Sequence, residues 1–390
     1  MVLILKIGYT LFFNPQFSGY EDWSIANKLV KYGTYSEILN VGPSTLKLPA
    51  YPYFLSFFIY FFGDNAPHFI LISQHFLYFF IPIGIIRILQ LLGQKNVGIV
   101  AAYLFVLSPA YLYYSFMVEA TNIFIPLSVV WAIMGIKIYT GIWKSNTNFV
   151  LWGLVTALLF LTQVVVVPIL LALIAILLLY KKISFKNARI TLIIAVLGYS
   201  PWIIRNAITF HKFIPTKSPY YHNLYTSFTE SNNILGPLKI FSDEEAKYLF
   251  HYRANVSEIE MEKVFHKELE MKVKPQDYTL KALQNAVLLW YVPARYFYDN
   301  SWEIWVARKA YVLLINGLTI LALVQWFRKQ REVFFLLILL FAGFTLPYMI
   351  GHAANIRFKL DFEWIQLIVV GHYMLFQLKK ITDLQRHKTK

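Results

Sequence analysis

Two carboxylates stand side by side in "SGYEDWSIANKLVKYG": Glu21 and Asp22, directly ahead of a run with helical spacing (Trp23, Ile25, Ala26, Leu29, Val30). The chain is otherwise poor in acids, and between Asp64 and Glu230 the only one is Glu119, in "LSPAYLYYSFMVEATNIF". Carboxylates so placed can take a proton from a hydroxyl. They can also sit in the first turn of a helix and complement its dipole. Both possibilities are open for Glu119 and for the pair. Adjacent residues on a helix point about 100° apart, so one acid of the pair is expected to cap while the other reaches inward.

Cations occupy comparable positions. Lys47 lies in "GPSTLKLPAYP", Arg205 and Asn206 in "GYSPWIIRNAITFHKF", and His352, Arg357, Lys359, Asp361 and Glu363 in "GHAANIRFKLDFEW". Lys and Arg at the ends of apolar runs commonly snorkel to lipid headgroups. Converging beside isolated acids, they would instead suit a phosphate-bearing lipid.

The elements that must hold these groups are hydrophobic. Of 390 residues 58% are hydrophobic, 18% aromatic and only 15% charged, and the mean hydropathy is +0.52. With apolar runs recurring along its length, the chain is expected to be an all-α polytopic membrane protein. Candidate spans cover about 66–86, 97–114, 119–139, 147–162, 164–180, 188–204, 309–327, 333–351 and 358–378, and "MVLILKIGYTLFF" adds a short first one. "PAYPYFLSFFIYFF" (49–62) is too short to cross and is expected to lie at the interface or re-enter.

Basic residues mark one side. Arg87/Lys95, Lys137/Lys144, Lys181/Lys182/Lys186/Arg189, Arg328/Lys329/Arg331 and the Lys379–Lys390 tail are accompanied only by Glu332 and Asp383. By the positive-inside rule these segments are cytoplasmic, which gives about ten spans with both ends inside. The net charge of +15 is thus a topology signal and no nucleic-acid footprint. The 205–307 loop, with 12 basic and 12 acidic residues, falls outside. It is long enough to be structured, and a lid over the site or packing against the spans are both expected. Three regions follow: a transmembrane module over 1–204 whose first outer loop (14–64) bears the acid pair, a helical outer subdomain over 205–307, and C-terminal helices with a basic tail over 308–390. There is no Cys, so disulfides and thiolate metal sites are excluded. Asn255 heads an "NVS" sequon.

The order of the motifs resembles a known group. "IANKLVKYGTYS", "GPSTLKLPAYPYFLSFFIYFFGDN", "LSPAYLYYSFMVEA", "GLVTALLFLTQ", "YSPWIIRNAITFHKFIPTKS" and "IRFKLDFEW" follow one another as in the GT-C integral-membrane glycosyltransferases of the glycosyltransferase family 39 type. That group includes protein O-mannosyltransferases and lipid A aminoarabinose transferases, and the likeness covers about 15–378. It implies a GT-C fold in the plasma or inner membrane. It implies a polyprenyl-phosphate sugar donor, used on the outer face with inversion, and an acid of the first outer loop as general base. Here the matching pair is Glu21 and Asp22, and Asp22 is favoured. Lys47 corresponds to the basic residue before the loop's proline, Glu119 to the acid of the second outer hinge, and Arg205 to the basic exit of the seventh span. With Arg357 these cations form the expected phosphate site, with Asn206 and His352 beside the substrate. Two departures stand out: the acids run Glu-Asp where many relatives have Asp-Glu, and Gln163 replaces the Arg of an "LTRP" motif. Glu119 also lacks the paired acid of the metal-dependent oligosaccharyltransferase branch, so no cofactor is expected. The acceptor is a lipid, glycan or protein. The rival classes are a lipid or polysaccharide flippase, which would carry ionisable groups mid-span and a two-fold repeat, and a polysaccharide polymerase or ligase.

Overall fold

The structure is a computed structural model and describes residues 1–13, 17, 19–218, 220–229, 235, 238–291, 301–351 and 356–388. The helices are α1 (Val2–Phe12), α2 (Glu21–Tyr32), α3 (Ala50–Phe62), α4 (Ala66–Leu91), α5 (Lys95–Leu107), α6 (Pro109–Tyr114), α7 (Thr121–Tyr139), α8 (Asn146–Thr162), α9 (Val167–Leu179) and α10 (Phe185–Phe210). They continue as α11 (Tyr220–Ser227), α12 (Asp243–Arg253), α13 (Glu258–Lys272), α14 (Pro275–Tyr291), α15 (Trp302–Lys329), α16 (Arg331–Gly351) and α17 (Leu360–Lys388). Among the described residues there is no strand.

Among the described residues five helical stretches are long and apolar enough to cross a membrane: Ala50–Leu91, Thr121–Tyr139, Phe185–Phe210, Trp302–Lys329 and Arg331–Ile350. The chain is an integral membrane protein. Several expected spans are shorter as helices, for local reasons. The 97–114 run breaks where Ser108, extended ahead of Pro109, ends α5 and starts α6, because the proline ring excludes the helical conformation from the residue before it. The division between the expected 147–162 and 164–180 spans falls at Gln163, whose extended backbone (φ −152, ψ 116) separates α8 from a turn of 3-10 helix and α9.

The main core joins α4, α5, α7, α8, α9 and α15 to α17. Its centre holds fully buried Trp152, tilted against Trp131 at 4.9 Å. Close approach at α8 and α10 relies on Gly153, where a Cβ would lie 2.7 Å from the Thr191 carbonyl oxygen, the small-residue contact typical of packed membrane helices. A second cluster packs α2 on α3 and α4 through Ala26, Tyr51, Leu55 and Ile70. A third, around Tyr225, Phe241, Phe265 and Leu269, gives α11 to α13 a core of their own. α12 starts with a capping box between Ser242 and Glu245, and α2 stops at Gly33, left-handed at φ 65.

Candidate active site

The groups singled out in the sequence gather at one end of the bundle, where α10 ends and α7 and α17 begin. Glu21 and Asp22 open α2, whose Ile25 and Ala26 are fully buried. Tyr20, at the cap position, makes no side-chain capping bond. Both acids lie in the first turn of α2, where a negative charge complements the helix dipole. The Glu21 carboxylate lies 2.7 Å from Lys47 Nζ, while that of Asp22 lies 3.7 Å from the same atom. A lysine arriving from a loop spans the 100° between the two acids. Asp22 is 3% exposed, and its Oδ1 is buried with no hydrogen-bond partner among the described residues.

The loop bearing Lys47 is pinned from three directions. The Tyr35 hydroxyl donates to the Lys47 carbonyl (3.0 Å). Arg205 donates to the carbonyls of Ser44 (2.9 Å) and Tyr35 (3.3 Å), with its guanidinium set among the rings of Tyr35, Trp202 and Phe210. Glu258, at the start of α13, accepts from Ser44 Oγ (2.6 Å), from Thr45 N and Oγ1, and from Ser218 Oγ. One carboxylate thus holds the Lys47 loop and the segment after α10 together. Glu37 and Arg253 form a further ion pair between the segment following α2 and the end of α12.

That gathering brings in Lys217, beside Lys47, Glu21 and Asp22. Burial pushes the Asp22 carboxyl up, and Glu21 adds to this, while Lys47, Arg357 and Lys217 pull it partly back. Burial acts the same way on Glu21. There the charge and hydrogen bond of Lys47, with Arg253 and Arg357, outweigh it and hold the carboxyl below its usual value. Burial alone would lower Lys47, but Asp22 and Glu21 raise it. Burial, then the charge of Lys47, hold Lys217 down to about 8.

Glu119 precedes α7 and caps nothing: the helix has no acid in its first turn. It is ion-paired with Arg357, from the 3-10 turn before α17. Behind them Asp361 accepts from Thr121 Oγ1 (2.9 Å) and the Tyr348 hydroxyl (2.8 Å), and Gln163 Oε1 accepts from Tyr348 (3.2 Å). Asn206 is fully buried and occupied, donating to the Ile214 carbonyl (3.1 Å) and accepting from Arg205 (3.0 Å). It shapes the turn after α10 and presents no free polar atom to a substrate. His352 lies outside the described residues.

Next to the Lys47 loop an apolar cleft of about 720 Å³ runs between α3, α4, α7, α8 and α10. Tyr53, Phe54, Leu77, Ile123, Leu127 and Leu158 line it, and its one charged lining residue is Arg205, beside Tyr35 and Trp202.

A divalent ion takes its oxygen ligands from several carboxylates. Here Lys47 stands between Glu21 and Asp22, Arg357 engages Glu119, and among the described residues no three His, Asp or Glu groups converge.

Sequence reasoning missed Lys217 and Glu258. Lys217 stands in the quoted "FIPTKS", twelve residues beyond Arg205, but Glu258 gave no local signal.

No family model matches the chain, and no curated protein matches it by sequence. Solved structures do match. The archaeal oligosaccharyltransferase AglB from Archaeoglobus fulgidus, in complex with an inhibitory peptide and a dolichol-phosphate, aligns over 100% of this chain and 51% of its own, at 14% identity and a TM-score of 0.58. Its apo form aligns over 99% and 51%, also at 14% identity, with a TM-score of 0.57. ArnT from Cupriavidus metallidurans, bound to undecaprenyl phosphate, gives 0.42 at 10% identity over 96% and 76%, too low a score to carry an argument. The chain spans about half the length of the oligosaccharyltransferase it matches, and it has the GT-C fold.

Proposed function

We infer that this protein is a glycosyltransferase that moves a sugar from a polyprenyl-phosphate carrier to an acceptor hydroxyl, at the outer face of the membrane and with inversion. The observation that carries this reading is Asp22, a buried carboxylate with its affinity for a proton raised and one oxygen unpartnered, held beside Lys47 next to an apolar cleft. An enzyme that deprotonates a hydroxyl needs such a group. The cleft suits a polyprenyl tail, and the dolichol-phosphate in the AglB complex is a carrier of that class on the same fold.

The step balances as follows. Asp22 Oδ1 takes the acceptor's proton as the acceptor oxygen bonds to the anomeric carbon. The bond from that carbon to the phosphate oxygen breaks from the opposite face, so the configuration inverts. Its electron pair stays on the phosphate, which leaves as polyprenyl phosphate with one more negative charge. The proton on Asp22 then passes to water. Cations fixed beforehand around the phosphate stabilise that charge without reorganising. Lys47 also keeps Glu21 ionised and in place beside the base.

The test is transfer from a labelled polyprenyl-phosphate sugar. Asp22→Asn is expected to lower kcat by about 10²- to 10⁴-fold, with the protein folded and donor binding kept. Glu21→Gln is expected to keep most of the activity. Full activity in both variants would remove the base assignment.

A further inference from the structure

The cations expected to hold the phosphate already have protein partners. Lys47 is shared by Glu21 and Asp22, Arg357 is paired with Glu119, and Arg205 is bonded to two backbone carbonyls and Asn206. Lys217 is different. Its backbone is fixed on both sides: Trp202 Nε1 donates to the Thr216 carbonyl (2.6 Å), and Ser218 N donates to Thr45 Oγ1 (2.8 Å). Trp202 also lines the apolar cleft and Thr45 belongs to the Lys47 loop, so the backbone of Lys217 is tied on one side to a cleft residue and on the other to that loop. Its side chain feels the charges of Lys47, Glu21 and Asp22. Yet among the described residues it forms no ion pair and no hydrogen bond, whereas both nearby carboxylates are claimed by Lys47.

We propose that Lys217 is the residue that contacts the phosphate of the polyprenyl-linked donor and takes up its charge as the sugar leaves. The proposal rests on the glycosyltransferase reading and names the group that grips its donor. A part-buried ammonium beside a second lysine, with no acid of its own, is in an unfavourable setting. A phosphodiester entering from the cleft supplies the missing anion. When the sugar departs the phosphate gains a second negative charge, so the contact strengthens in the transition state, as catalysis requires. The lowered affinity of Lys217 for its proton, about 8, agrees with a cation awaiting its partner.

Binding of undecaprenyl phosphate, of undecaprenol and of inorganic phosphate to the full-length protein in phospholipid-free detergent tests this. The wild type is expected to prefer undecaprenyl phosphate to undecaprenol. In Lys217→Met that preference should fall about tenfold to a hundredfold, the value of a charge-assisted hydrogen bond, with undecaprenol binding unchanged. Lys217→Arg should restore most of it and keep turnover above that of the Met variant. An undiminished preference in Lys217→Met would overturn the assignment while leaving the donor class intact. Loss of both lipids together would also overturn it, because removing a phosphate contact leaves the tail site whole. Lys217-dependent binding of inorganic phosphate alone would assign the residue to a soluble anion and not to the carrier. A wild type that does not discriminate the two lipids would instead sink the polyprenyl-phosphate reading itself.

Discussion

The two acid–cation groups of the site differ in stoichiometry. At the hinge before α7, Glu119 is paired with Arg357, and the neighbouring Asp361 is satisfied by Thr121 and Tyr348. At the start of α2, two acids share Lys47, and among the described residues one Asp22 oxygen has no partner and Lys217 stands nearby without one. The first group is internally complete, as expected of a tie between segments more than 230 residues apart in the chain. The second is complete only when a proton donor and an anion are added. Unmatched polar groups in a buried place cost stability, and at Asp22 a substrate hydroxyl would supply the match.

The sharpest way to break this contrast is to unbalance the matched group. Arg357→Met leaves Glu119 without its ion-pair partner, and both side chains are largely buried. Breaking one side of such a pair costs about 3 kcal/mol, read as a fall in the thermal midpoint, and Glu119→Gln with Arg357→Met should recover much of it. If the single variant melts like the wild type and loses only donor binding, Arg357 belongs with the unmatched group.

Much of this was legible in the sequence, for identifiable reasons. Hydropathy and the placement of Lys and Arg announce a helical membrane protein, because a bilayer leaves few other ways to satisfy the backbone. Acid scarcity singles out Glu21, Asp22 and Glu119, since so few carboxylates stand along the first half of the chain. Partners were less legible. The periodicity argument separated the two acids because it treated α2 alone, whereas a lysine from a loop 25 residues later reaches both. Glu258 binds residues over 200 positions away, and nothing local distinguishes it from the other glutamates of the charged 205–307 loop. Lys217 was hidden for the same reason: in a loop with balanced charge, one lysine lacking a partner looks like any other.

A smaller effect is expected where the unmatched group is held from outside. Glu258 ties the Lys47 loop to Ser218, the neighbour of Lys217. Glu258→Gln keeps its shape but weakens four hydrogen bonds to a charged acceptor. The two lysines should then sample wider positions, raising the donor KM about five- to tenfold with a lesser loss in kcat. A kcat loss as large as that of Asp22→Asn, at unchanged KM, would show that Glu258 acts on the base and not on the cations.

The mildest change tests the electrostatics inside the pair. Activity requires ionised Asp22, so it should fall as the pH drops through the value at which Asp22 takes up a proton. Burial raises that value from the usual one against the pull of Lys47, and the negative charge of Glu21 raises it further. Glu21→Gln removes that charge. Lys47, freed from Glu21, is then held more fully by Asp22, which also favours the ionised form. Both effects have one sign: the acid limb of the kcat/KM profile moves to lower pH. A limb that moves to higher pH in Glu21→Gln, or that disappears in this variant and not in Asp22→Asn, would make Glu21 the base and exchange the roles of the two carboxylates.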